Sequence, residues 1–132
     1  MKLTVQDILT SGGKYPDRAK SPELTAELEF NAQMLCDRLN MLFEELGITS
    51  WKISSGFRPL AVNKKIGGAT KSAHTQCQAV DFVGQDIGKK VAARPELLKK
   101  YGLWLEDLSA SPTWTHLDIK PRRPREIQIF KP

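Results

Sequence analysis

Leu103-Trp104-Leu105-Glu106, followed after Asp107–Pro112 by Trp114-Thr115-His116-Leu117-Asp118-Ile119, decides the fold. Both segments read as strands, and the Ser- and Pro-rich interval between them reads as a turn. Two strands joined by a short turn pair antiparallel as a hairpin. In the register this predicts, Glu106 lies across from about Thr113. A period of two puts His116 and Asp118 on one face.

Working outward, Ala79–Val83 is a further strand. Ile48–Ser55 is another, with Trp51 and Ile53 on one face and Lys52 and Ser54 on the other. Ile127–Phe130 is a last short strand. Ser21-Pro22-Glu23 is a helix start, with Ser21 as N-cap and an acid in the first turn. Leu24, Leu28, Leu35, Leu39, Leu42 and Leu46 then make one apolar helical face, which Gly47 closes. Leu60–Ile66 reads as a short helix before Gly67-Gly68. Asp86 caps a helix that Pro95 interrupts or restarts and Gly102 ends. Residues 1–20 read as loop, with Ile8 and Leu9 docking on the body. The fold class expected is α+β: helices on one small, mainly antiparallel sheet, in a single domain over residues 1–132.

The 132 residues are enough for one core, and 40% hydrophobic with 27% charged residues is an ordinary globular composition. No apolar run approaches the ~20 residues of a membrane span. The N-terminal residues show no secretion signal, so synthesis in the cytoplasm is expected. Cys36 and Cys77 are too few for a disulfide framework and are expected as free thiols, Cys36 in the core. The net charge of +5 favours a polyanionic partner, but no nucleic-acid-binding motif accompanies it.

The chain has two histidines, His74 and His116. His74 precedes the Ala79–Val83 strand, Asp81, seven residues on, lies in it, and His116 is inside another strand. Zinc accepts imidazole nitrogen and carboxylate oxygen, and a catalytic site keeps a fourth position for water. His74, Asp81 and His116 can supply three such ligands. A histidine with apolar neighbours is also ordinary core or surface, and spacing alone leaves both readings open.

Three segments then carry a resemblance. Ser72-x-His74-x-x-Cys77-x-Ala79-x-Asp81 resembles the Ser-x-His-x-x-Gly-x-Ala-x-Asp signature of the zinc D-alanyl-D-alanine carboxypeptidases and L-alanyl-D-glutamate endopeptidases, which cleave peptidoglycan peptides. Trp114-Thr115-His116 resembles the family's later Trp-x-His. Ser55-Gly56-Phe57-Arg58-Pro59, with Asn63, is similar to its upstream Ser-Gly-Tyr-Arg. The segments stand in family order over residues 55–118. The resemblance implies a small α+β fold and one Zn2+ held by His74, Asp81 and His116. It implies that Arg58 binds substrate and polarises the scissile carbonyl, a task that suits a planar, permanently charged fork. Ser72 would bond the substrate or brace the His74 loop.

Two positions depart from the pattern. Cys77 stands where the family has glycine, which strains the chain if φ is positive there and fits if only a small side chain is needed. Its thiolate could also approach the metal. The family's general base, three residues before the last histidine, is Thr113 here. Glu106, across the hairpin, is the first replacement, and Asp118 the second. Asp118 could instead orient an imidazole. The function expected is zinc-dependent hydrolysis of peptidoglycan stem peptides by a phage endolysin-like hydrolase. It would act as a monomer at the cell wall or periplasm after release, its charge favouring the anionic wall. Trp104 and Trp114 either wall the cleft or pack in the core. The alternative is a non-catalytic, zinc-stabilised binding or structural module lacking a base.

Overall fold

The computed structural model describes residues 2–132. The leucine-spaced segment forms one long helix, α2 (Ala26–Leu46), preceded by a short helix, α1 (Val5–Leu9). Gly47 closes α2 in the left-handed conformation at φ 68°, as the sequence leads one to expect. The start of α2 differs from expectation. Thr25, not Ser21, is the N-cap, its hydroxyl accepting the Leu28 N–H at 3.2 Å. The Ser21 hydroxyl instead accepts the Glu23 N–H within a turn. The Glu23 carboxylate accepts the Leu60 N–H at 2.6 Å. The polar groups that resembled a cap are thus used elsewhere.

The N-terminal stretch is also more ordered than a loop. Thr4 and Asp7 form a capping box that starts α1, and Pro16–Lys20 is a 3-10 turn. Ile8 and Leu9 are buried, as expected. The Thr-x-x-Asp spacing carried this signal in four residues, too short a stretch for hydrophobic periodicity to show.

The remaining elements follow in order: β1 (Ile53–Ser55), α3 (Leu60–Lys65), β2 (Ala79–Val83), α4 (Asp86–Ala92), α5 (Glu96–Tyr101), β3 (Trp104–Glu106), β4 (Trp114–Asp118) and β5 (Ile129–Phe130). The first expected strand is shorter than Ile48–Ser55, because residues 48–52 pack as irregular chain, with Trp51 against Phe43 at 5.4 Å. Gln85, not Asp86, occupies the N-cap of α4, and Asp86 sits in its first turn. The sheet order is β1-β2-β4-β3-β5, antiparallel throughout except for β5, which runs parallel to β3. The architecture is α+β.

The sheet has two unlike faces. Val80 and Phe82 of β2, Leu105 of β3 and Leu117 of β4 are fully buried in one cluster with Leu35, Leu39, Leu42 and Phe43 of α2. Phe43 meets Phe82 edge-on at 5.3 Å. α4 closes over the same side, where the Gly88 N–H donates to the Thr115 hydroxyl at 3.0 Å. The alternate residues of these strands face the other way, and they build the site.

Candidate metal centre

Strand register decides which polar residues meet. Ser55 pairs with Asp81, Asp81 with His116, and Glu106 with Phe130. β3 and β4 pair Trp104 with Asp118 and Leu105 with Leu117, so continuing the ladder sets Glu106 opposite His116. The expected partner, about Thr113, is wrong by three residues. Residues 107–113 form a longer loop, in which the Asp107 carboxylate accepts from the backbone and hydroxyl of Ser109. Ser55, Asp81, His116, Glu106 and Phe130 therefore form one row across all five strands.

His74 reaches this row from a 3-10 turn, Ala73–Gln76. Ser72 caps the turn, accepting the His74 N–H at 3.2 Å, and also accepts from the Arg58 guanidinium at 3.3 Å. Ser72 thus braces the His74 turn and also lines the cleft. The Arg58 N–H donates to the His74 carbonyl at 3.1 Å. His74 Nδ1 lies 2.8 Å from the Gly56 carbonyl and donates to it, which leaves Nε2 with its lone pair. Gly56 is required for close approach: a Cβ there would stand 2.2 Å from the Ile8 carbonyl oxygen.

His74 Nε2 lies 3.2 Å from one Asp81 oxygen, and His116 Nδ1 lies 2.7 Å from the other. One ligand atom from each of the three residues falls within 4.8 Å of the other two. His116 Nε2 is 2.7 Å from Asp118, whose side chain is fully buried. The donor set fits zinc. Each imidazole has its outer nitrogen held by an acceptor and its inner nitrogen turned toward a shared carboxylate, the outer-partner arrangement of metal-ligating histidines. Among the described residues only His74, Asp81 and His116 converge in this way.

The electrostatics agree with that geometry. Burial opposes charge on Asp81, but hydrogen bonds from His116 and His74 outweigh it and hold the carboxyl below its ordinary range. Burial would lower His116, yet Asp118 and Asp81, one at each nitrogen, raise it to about 9. Asp118 lies below its ordinary value: burial is overcome by His116 and by Arg122. Both Arg122 terminal nitrogens bond Asp118, which also accepts the Lys120 N–H at 3.1 Å. Both Asp118 oxygens are thus engaged, by His116, Arg122 and the Lys120 N–H, and its side chain is unexposed.

Arg58, Ser72, Glu106, Trp114 and Phe130 line a cleft of about 340 Å³ over the three donors. A larger hollow of about 950 Å³, between α1, α2 and residues 48–51, holds no such donor set. Glu106 is partly exposed, and its carboxyl is raised, first by burial and then by the charges of Asp81 and Asp118, against the histidines. Burial lowers Arg58, with Asp81 opposing. Trp114 walls the cleft, whereas Trp104 is only 5% exposed and lies under the Arg122 guanidinium.

Cys77 takes φ 56° at the end of the His74 turn and is fully buried. Its thiol is pushed up to about 12 by burial and by Glu29, and both cysteines are free. The left-handed conformation explains a glycine in the signature. Arg122 and Phe130 were not legible as site residues: Pro121–Arg125 reads as a basic, proline-broken connection and Ile127–Phe130 as a short strand, and only folding brings Arg122 to Asp118 and Phe130 to His116.

The family model for Peptidase M15 matches residues 2–118 of the chain. No curated protein and no solved structure matches it.

Proposed function

The chain belongs to the Peptidase M15 family of zinc metallopeptidases, and from that premise we propose that it hydrolyses a peptide bond in peptidoglycan stem peptides, with Glu106 as general base. His74, Asp81 and His116 hold the ion in this reading. When bound, zinc supplies Lewis-acid polarisation of the scissile carbonyl and makes water acidic enough to attack near neutral pH. Glu106 takes the proton of the attacking water and returns it to the leaving amine. Arg58 neutralises the developing oxyanion or a substrate carboxylate, and Ser72 keeps both Arg58 and His74 in place.

The observation that carries this reading is the position of Glu106. It lies in the same cross-sheet row as Asp81 and His116 and lines the same cleft, with its carboxyl raised toward the range of a working base. Thr113 cannot take a proton, and Asp118 is committed to His116 and Arg122. An endolysin-like role fits the +5 charge, which favours encounter with an anionic wall by a monomer released from the cytoplasm. A chromatographic digest of defined stem peptides identifies the bond and separates endo- from exo-attack.

The test is amine release from purified peptidoglycan. E106Q should lose about 10²–10⁴-fold in rate while retaining zinc. An undiminished E106Q rate would remove Glu106 from the mechanism. Wild-type protein that carries zinc and releases no amine would be the non-catalytic module instead.

A further inference from the structure

We propose that the tail beyond the family match, residues 119–132, belongs to the working site, with Arg122 as a positioning residue that fixes Asp118 and, through it, the metal-facing nitrogen of His116. The proposal rests on the zinc reading above. The tail is docked as structure: the Leu105 N–H donates to the Gln128 carbonyl at 3.0 Å and the Asp107 N–H to the Phe130 carbonyl at 2.7 Å. The Gln128 side chain donates to the Leu103 carbonyl at 2.8 Å and is itself buried. This docking brings the Phe130 ring edge-on to His116, with centroids 5.8 Å apart.

Arg122 is held from two directions. Its guanidinium lies 3.8 Å from the Phe130 ring centroid and 5.4 Å from that of Trp104. Its two terminal nitrogens grip the two oxygens of Asp118. A fork on a carboxylate fixes orientation as well as charge, which a lysine ammonium does not. Asp118 is fully buried, and a buried carboxylate needs such a counter-charge to stay in place. Its other duty is the 2.7 Å contact with His116 Nε2. Without Arg122, only the Lys120 N–H holds Asp118 from the side away from His116, and the ring that presents Nδ1 to the ion is aimed less firmly.

The experiment is a zinc competition titration against a chromophoric chelator, using the full chain and the variants R122M, R122K, D118N and D118N/R122M. Circular dichroism checks the fold of each. R122M keeps an apolar stem between the rings and removes the fork. It should bind zinc about 10–100-fold more weakly than wild type, with R122K in between. Because Arg122 acts through Asp118, the double variant should lie within about threefold of D118N. A folded R122M with wild-type affinity overturns the proposal, and so do losses that multiply in the double variant. Should R122M not fold, R122K decides in its place: wild-type affinity and an unchanged cobalt absorption spectrum overturn the proposal. Wild-type protein that binds no zinc would instead refute the underlying metal reading.

Discussion

The two faces of the sheet are made from alternate residues of the same strands, yet they obey different rules. Val80, Phe82, Leu105 and Leu117 need only be apolar and of suitable size, because burial against α2 is non-directional. Asp81 and His116 need each other at hydrogen-bonding distance and Glu106 needs its place beside them, so each depends on the register of the next strand. A one-residue slip would send every one of them into the core. The apolar face therefore holds the register that the polar face uses.

Each face can be perturbed separately. The largest effect expected is for H116A, which should retain no zinc through gel filtration and show background hydrolysis, measured by metal analysis and amine release. On the opposite face, L117A should keep the ligand set but destabilise the fold by about 2–5 kcal/mol, read from urea unfolding. The urea midpoint of E106Q should match wild type. Should L117A leave the midpoint unchanged, the division of labour between the faces would be wrong.

A smaller effect follows from the proton that zinc displaces. In the metal-free protein Asp118 and Asp81 outweigh burial and raise His116 to about 9, so its imidazolium adds stability that is complete below about 6.5. That contribution is lost as pH rises through about 9. Zinc competes with the same proton, so apparent affinity should weaken about tenfold for each unit from pH 9 toward pH 7. Calorimetry in buffers of different ionisation heat should count about one proton released per ion at neutral pH. A pH-independent affinity would show that His116 is not a ligand.

The smallest effect concerns Cys77 at φ 56°. Cys77→Gly relieves the left-handed strain and Cys77→Ala does not, so the glycine variant should be the more stable by about 1 kcal/mol. The usual preference for alanine over glycine would be reversed, and urea midpoints of the pair decide it.

Much of this could be read from the chain. The leucine spacing of α2, the left-handed stop at Gly47 and the strands around Asp81 and His116 are local patterns, each visible in its own residues. His74, Asp81, His116 and Arg58 could be named because their segments are short and close to the family's own. Ser21 does not cap α2 because its hydroxyl closes a local turn on the Glu23 N–H, while the Glu23 carboxylate is drawn to the start of α3, a contact that only packing sets. The hairpin expected from the sequence sets Glu106 across from Thr113, whereas the register formed sets it beside His116, and that is what brings it to the cleft.

By itself, then, the sequence determined an α+β chain with a His-Asp-His set and an arginine near it, because propensity, periodicity and motif spacing act over a few residues. Only the tertiary structure brings Asp118 and Phe130 onto His116, and Arg122, from a basic, proline-broken connection, onto Asp118. Those assignments depend on β3, β4 and β5 meeting in one register, and that register is fixed by apolar burial on the opposite face of the sheet.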